Sequence, residues 1–173
     1  MRILAGQYKG VIIGPGTGRH IRPTQSLVRK SVFDQLGPLD GHSFTDLFAG
    51  TGIMGFEAAS RGADPVVLVE NHPGRVRRLQ QTKSRFRDTT VNIVSQDVWR
   101  FLPHIEELDR VYADPPYRQY TFEECHSLVK LVLEKLQPAG VFFLELDQIV
   151  PELEADEVRT YGKTAVHKWI ADR

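Results

Sequence analysis

The sequence of 173 residues contains one cysteine, Cys125, and lacks any apolar run long enough to span a bilayer. A single cysteine excludes an intrachain disulfide and a thiolate-rich metal site, which argues against a disulfide-stabilised secreted domain. The six histidines are scattered singly along the chain, so we predict no metal. No signal-peptide apolar core builds up at the N-terminus, so we expect a cytoplasmic protein.

Acidic residues are missing from two stretches, although the formal net charge of the chain is zero. The first acid is Asp34, and the residues before it carry six basic side chains: Arg2, Lys9, Arg19, Arg22, Arg29 and Lys30. Such a basic arm can neutralise the phosphates of a nucleic acid. Residues 71–87 also hold six basic residues and no acid, whereas 145–157 hold six acids. The 71–87 run fits either a nucleic-acid surface or an ordinary solvated helix face.

Short apolar runs alternate with helical patterns from residue 43 onward. Strands are predicted at 43–48, 65–70, 91–95, 110–114 and 141–146, with helices near 53–61, 73–86, 98–107 and 121–136. This alternation predicts a parallel sheet with helices on both faces. A turn at Tyr161-Gly162-Lys163 divides 157–171 into a terminal antiparallel hairpin.

The N-terminal region has a different pattern. Residues 2–13 predict a small β-hairpin, and a helix is predicted from Thr24, as its N-cap, to Leu36. We therefore divide the chain into an N-terminal basic arm over 1–22 and a main domain over 23–173.

The first predicted strand runs into a glycine-rich turn, which Gly55 extends to G-x-G-x-x-G. The glycines let the backbone approach a ligand closely, and an acid at the end of the next strand can bind a ribose hydroxyl pair. NAD also fits this pattern. Asp46 favours a sulfonium amino acid, because its carboxylate would repel a pyrophosphate and attract a positive centre. The predicted ligand is S-adenosylmethionine, and its binding residues in this region are Asp46, Phe48, Gly50, Gly52 and Glu70.

Asp97 follows the third predicted strand and is a further candidate for binding the cofactor. Because the carboxyl ends of parallel strands share one edge of the sheet, its carboxylate can accept a hydrogen bond from an adenine amino group. An acid directly before a helix can equally be an N-cap, and the two roles are compatible.

The fourth predicted strand ends in Asp114-Pro115-Pro116-Tyr117. Two prolines cannot continue a central strand, so the backbone leaves the sheet and turns its carbonyls outward. The Asp114 carboxylate and the Pro115 carbonyl can each accept one hydrogen of an exocyclic amino group, which leaves the nitrogen lone pair free to attack a methyl group. Tyr117 offers the base a stacking surface. The tetrad therefore predicts methyl transfer to an unpaired or flipped base, with catalysis that comes mainly from positioning the amine.

The two motifs together resemble the class I methyltransferases that act on amino groups. The chain is similar over nearly its whole length to the RsmD family of bacterial small-subunit rRNA guanine-N2 methyltransferases. The matching stretches are 6–10, 22–24, 37–41, 46–52, 60–63, 114–117 and 161–164. The chain differs from the usual family pattern at Val11-Ile12-Ile13, where more basic residues are common, and at Lys30, where an acid is common.

This resemblance implies a Rossmann-like, seven-stranded, mostly parallel sheet with an antiparallel last strand and S-adenosylmethionine as cofactor. The implied acceptor is the N2 amino group of a guanine in 16S rRNA, within a partly assembled small ribosomal subunit. It also gives the basic arm a role in holding the RNA over the pocket. The RNA-binding residues expected there are Arg2, Lys9, Arg19, Arg22 and Thr24.

Other functions share part of the pattern. A DNA amino-methyltransferase has the tetrad, but no segment here is large enough for a separate target-recognition domain. A protein-glutamine methyltransferase more typically has Asn at position 114. A non-catalytic nucleic-acid-binding module has no need for both a cofactor loop and the tetrad.

Overall fold

The computed structural model describes residues 1–14, 23–116 and 120–172, and the side chains of all of these except 23–25. Its elements alternate between strand and helix through most of the chain. The helices are α1 (Pro23–Leu36), α2 (Ile53–Ser60), α3 (Pro73–Lys83), α4 (Val98–Phe101) and α5 (Phe122–Leu133). The strands are β1 (Phe44–Asp46), β2 (Val66–Val69), β3 (Val91–Val94), β4 (Leu108–Ala113), β5 (Leu136–Leu146), β6 (Glu157–Tyr161) and β7 (Thr164–Ile170).

Within the described residues, seven strands form one sheet in the order β3-β2-β1-β4-β5-β7-β6. The first five are parallel to one another, and β7 runs antiparallel to both β5 and β6. The predicted mostly parallel sheet with an antiparallel end is therefore confirmed. The strand order reverses between β1 and β4, and open α/β sheets bind ligands at such a point, beyond the carboxyl ends of the strands.

Two apolar cores cover the two faces of this sheet. On one face, Phe44, Tyr112 and Phe143 pack with residues of α1, α2 and α3. On the other, Leu47, Val111 and Phe142 pack with residues of α4 and α5. Helices on both faces hide the apolar strands from water, as a parallel sheet requires.

The N-terminal segment, residues 1–14, docks on α2 rather than forming an extended hairpin. Its strand pairing is a single antiparallel bridge between Arg2 and Ile12. Glu57, wholly buried on α2, accepts the backbone N–H groups of Leu4 at 2.7 Å and Ala5 at 3.1 Å. Because a buried carboxylate needs such donors, Glu57 holds the segment against the main domain. The predicted small β-hairpin is therefore present in a short form: backbone hydrogen bonds join residues 1–3 to 10–13 around the Arg2–Ile12 bridge, and the turn between them docks on α2.

Several predicted boundaries are wrong. The helix α4 has only four residues and continues as a 3₁₀ turn over Leu102–His104, where Pro103 cannot donate to an α-helical ladder. The strand β5 begins at Leu136, two residues before Pro138, which we expected to separate a helix from a strand. The β4–β5 register shifts there from Leu136 to Val141, because residues 137–140 bulge out of the ladder. Among the described residues, no helix is both long and apolar enough to cross a membrane.

Candidate cofactor and substrate cavity

A cavity of about 450 Å³ lies beyond the carboxyl ends of β1 to β4. Its size is within the range of small-molecule sites. The loops after these four strands supply much of its lining, which includes Phe48, Gly50, Thr51, Glu70, Asn71, Gln96, Asp97, Asp114 and Pro116. The structure therefore brings four of the six predicted cofactor residues together with the acid of the tetrad.

Glu70 connects the glycine loop to the start of α3. Gly50 has a φ of 54°, and its backbone N–H donates to Glu70 Oε2 at 2.9 Å. The His72 N–H donates to Glu70 Oε1 at 2.8 Å, and Arg75 Nη1 lies 3.6 Å from Oε2. These contacts fix the carboxylate at the cavity wall. A carboxylate oxygen that accepts one amide hydrogen keeps a lone pair for a ligand hydroxyl.

Among the described residues, Gly52 does not line the cavity and lies behind the glycine loop. It precedes α2 with a φ of 79°, and a Cβ at this position would lie 2.6 Å from the side chains of both Leu79 and Phe56. A separation this small is a steric clash, so Gly52 allows the loop and α2 to pack against α3. A direct contact between Gly52 and a cofactor stays a prediction.

Asp46 is also beneath the loop, with 2% of its surface exposed. Its Oδ1 atom has no hydrogen-bond partner in the described part of the chain. Burial raises the pKa of Asp46 to about 7; the backbone amides of Gly55 and Phe48 oppose this shift, and the negative charge of Glu70 adds to it. Asp46 does not line the cavity. Its carboxylate would therefore attract a cationic ligand from a distance, without contact, and this attraction stays a prediction.

Asp97 caps α4, as one of its two interpretations predicted. Its Oδ1 accepts the Trp99 N–H at 2.9 Å, and its Oδ2 accepts a hydrogen from Asn71 Nδ2 at 3.3 Å. The side chain also lines the cavity. The capping interpretation is confirmed, and the adenine contact stays a prediction with which this geometry is compatible.

We call the part of the cavity around Asp114 the acceptor end, after the role predicted for that residue. Asp114 is partly buried there, near the buried acids Glu145 and Asp46. Burial, Glu145 and Asp46 together raise the pKa of Asp114 to about 8. Ala113, the residue before Asp114, pairs with Leu144, the residue before Glu145, so the two acids follow neighbouring positions on β4 and β5. Glu145 accepts a hydrogen bond from the Tyr112 hydroxyl, which opposes the rise that burial causes in the pKa of Glu145.

The tetrad is placed only in part. Asp114 and Pro116 line the cavity, and Pro115 is buried outside the lining formed by the described residues. Tyr117 lies outside the described residues. The roles of Asp114, Pro115 and Tyr117 toward an acceptor stay predictions.

Several residues of the site were not predicted. Tyr120 lines the cavity, with its ring 5.4 Å from that of Phe48 and 6.1 Å from that of Trp99. Its signal in the sequence was an aromatic residue shortly after the tetrad. Arg75, Arg78 and Thr82 of α3 also line the cavity at helical spacing, which a helical wheel of α3 would have grouped.

The predicted RNA-binding residues are only partly within the described structure. Arg2 and Lys9 are exposed on the N-terminal segment, whose last described residue, Gly14, lines the cavity. Arg19 and Arg22 lie outside the described residues, as does the side chain of Thr24. The backbone of Thr24 belongs to the first turn of α1, which begins at Pro23, so Thr24 is not the N-cap and the expected cap position is two residues too late.

Comparison with known proteins gives consistent matches. A family model described as conserved hypothetical protein 95 matches residues 1–170. The protein YlbH of Bacillus subtilis (strain 168) is 30% identical over 181 residues, covering 96% of each chain. Ribosomal RNA small subunit methyltransferase D of Escherichia coli (strain K12) is 30% identical over 137 residues, covering 75% of this chain and 67% of its own.

Solved structures share the fold. A hypothetical protein of Thermus thermophilus has a TM-score of 0.80 and 29% identity, covering 100% of this chain and 99% of its own. A T. thermophilus 16S rRNA N2 methyltransferase, RsmC, in complex with AdoMet and guanosine, has a TM-score of 0.75 and 24% identity. This chain covers 49% of RsmC. The resemblance found in the sequence is therefore confirmed, and the chain belongs to the RsmD family of ribosomal RNA small subunit methyltransferases.

Proposed function

We propose that this protein transfers a methyl group from S-adenosylmethionine to the N2 amino group of a guanine in 16S rRNA. One observation carries the proposal: Asp114 of the tetrad and Glu70, which is bonded to the glycine loop, line the same cavity. Family membership supports small-subunit rRNA as the substrate. The choice of guanine N2 is supported by the fold shared with RsmC, whose structure contains AdoMet and guanosine.

The residues that line the cavity fit S-adenosylmethionine. Glu70 would accept hydrogens from the ribose hydroxyls, because its carboxylate is held at the wall by two backbone amides and keeps free lone pairs. Asp97 would accept from the adenine amino group with the lone pairs that its capping bond leaves. When bound, S-adenosylmethionine supplies an electrophilic methyl group. The acids at this edge suit its positive charge better than they suit the pyrophosphate of a dinucleotide.

The acceptor amine would be held by Asp114 and the Pro115 carbonyl. An exocyclic amino group is a weak nucleophile because its lone pair is delocalised into the ring, so orientation is the main contribution that the protein can make. The amino nitrogen must also lose a proton when it gains the methyl group. The ionised Asp114 carboxylate accepts that proton readily, because burial and neighbouring acids raise the pKa of Asp114 to about 8.

The proposed function is tested by nucleoside mass spectrometry of small-subunit rRNA. We expect a strain lacking this gene to lose one N2-methylguanosine, a plasmid-borne wild-type copy to restore it, and an Asp114→Ala copy to leave it absent. An unchanged N2-methylguanosine content in the deletion strain would overturn the proposal. Purified protein incubated with radiolabelled S-adenosylmethionine and either that rRNA or duplex DNA separates RNA from DNA as substrate, and label in DNA alone would also overturn it.

A further inference from the structure

The second acid-free stretch of the sequence forms α3 and the turn that follows it, and the proposed chemistry leaves most of it without a role. Every basic side chain of this stretch is exposed. We refer to these side chains as the α3 basic surface: Arg75, Arg77, Arg78, Lys83, Arg85 and Arg87.

The buried and exposed faces of α3 show where the α3 basic surface lies. Val76 and Leu79 are buried against the sheet, whereas Arg75 and Arg78 line the cavity. Arg77 is exposed and, at 100° per residue, lies away from the buried stripe. The α3 basic surface therefore begins at the mouth of the cavity and continues over the solvent side of the helix.

This concentration of positive charge is unfavourable for the isolated helix. No acid lies in the first turn of α3, where Arg75 faces the positive end of the helix dipole. Among the described residues, Arg75 is the one member of the surface that forms an ion pair with an acid, Glu70. An ordinary solvated helix commonly carries both signs in stabilising pairs. A uniformly basic face next to a cavity is better explained by an anionic partner.

The α3 basic surface is continuous with the N-terminal segment. Arg85 Nη1 donates to the backbone oxygen of Ile12 at 2.7 Å. The ring of Tyr8 lies 4.5 Å from that of Phe86, and the Asp88 N–H donates to the Tyr8 hydroxyl at 3.1 Å. These contacts place the exposed Lys9 on the segment that α3 and its following turn support. The combined surface extends from the cavity to the N-terminal segment.

We propose that the α3 basic surface binds the phosphates of the RNA strand next to the methylated nucleotide. This inference rests on the proposed function, since it assigns the binding surface of the same RNA substrate. Arg75 and Arg78 would contact the phosphates nearest the cavity, and Arg77 and Lys83 would contact phosphates further along the strand. Such contacts fix the register of the RNA without reading its sequence.

The test compares charge reversals at two exposed positions. Arg77→Glu changes the α3 basic surface, and Lys130→Glu makes the same change of charge on α5, which packs on the other face of the sheet. The substrate is small-subunit rRNA from the deletion strain. We expect Arg77→Glu to raise the KM for this rRNA at least fivefold and leave kcat at saturating rRNA within about twofold, while Lys130→Glu changes neither. In Arg77→Glu, the slope of log binding constant against log salt concentration should become shallower by roughly 0.7 for each phosphate contact that is lost.

The possible results separate this inference from the proposed function. If wild-type protein methylates the rRNA and Arg77→Glu has an unchanged KM and salt slope, the surface is only solvated and the inference is overturned. An equal loss in Lys130→Glu would also overturn it, because the effect would then be one of net charge. A loss of S-adenosylmethionine affinity in Arg77→Glu, measured by calorimetry, would assign α3 to the cofactor instead. Failure of the wild type to methylate this rRNA, both free and within small subunits isolated from the deletion strain, would contradict the proposed function itself.

Discussion

The two ends of the cavity hold their acids in different ways. At the glycine-loop end, Glu70 accepts two backbone N–H groups and Asp97 accepts one, so each carboxylate is fixed by its donors. At the acceptor end, Asp114 is mostly removed from water and lies near other acids, and these two effects raise its pKa to about 8. The difference indicates that the first end is built to hold a ligand rigidly, while the second can exchange a proton near neutral pH.

The largest effect expected at the acceptor end is that of Asp114→Ala. If this carboxylate orients the amine and accepts its proton, its removal should lower kcat by roughly 10²- to 10⁴-fold. The affinity for S-adenosylmethionine, measured by calorimetry, should stay within a few fold of wild type. The exposed acid Asp34 provides a control in Asp34→Ala, which should leave both values unchanged. Retention of activity by Asp114→Ala would show that the carboxylate has no part in the reaction.

The glycine-loop end is tested by a pair of substitutions. Gly50→Leu places a side chain in the cavity lining at a positive φ, and we expect the affinity for S-adenosylmethionine to fall at least tenfold. Gly52→Ala creates a clash with Leu79 and Phe56 instead, so the free energy of unfolding should fall by about 1–3 kcal/mol. Calorimetry and chemical denaturation measure the two effects separately. Unchanged cofactor affinity in Gly50→Leu would remove the loop from the binding site.

The pH dependence of the reaction sharpens the contrast between the two ends. Because Asp114 must be ionised to accept a proton, kcat/KM should rise with pH through the pKa of Asp114, about 8 in the free protein. Glu145→Gln removes a negative charge that raises this pKa, so the rising limb should move to lower pH. Loss of activity without a shift of the limb would make Glu145 a purely structural residue, whereas Glu145→Asp should retain most of the wild-type profile.

The sequence predicted the glycine-loop end better than the acceptor end for a structural reason. Glu70, Asp97 and Asp114 each follow a strand that could be recognised locally, and parallel strands bring their carboxyl ends to one edge. Glu145 lies within β5, and its position beside Asp114 depends on the pairing of Ala113 with Leu144. No local pattern encodes that register. The start of β5 was missed because Pro138 signals a break, whereas the strand accommodates it in a bulge.

The smallest effect is expected at Asp97, where one carboxylate caps a helix and faces the cavity. Asp97→Ala removes the cap of α4 and should cost about 1 kcal/mol of unfolding free energy. Asp97→Ser replaces the carboxylate with another good capping group, because a serine hydroxyl accepts the same backbone hydrogen. Asp97→Ser should therefore restore stability to within a few tenths of a kcal/mol of wild type, measured by chemical denaturation.

The cofactor affinities of these two variants decide whether Asp97 belongs functionally to the glycine-loop end. If its carboxylate also accepts a hydrogen from adenine, both variants should bind S-adenosylmethionine several-fold more weakly, because the shorter serine cannot serve both partners. If Asp97→Ser regains wild-type affinity together with stability, the carboxylate is only a helix cap. The glycine-loop end would then depend on Glu70 and the glycine loop to hold the cofactor. Asp97 would contribute only through the shape of the turn before α4.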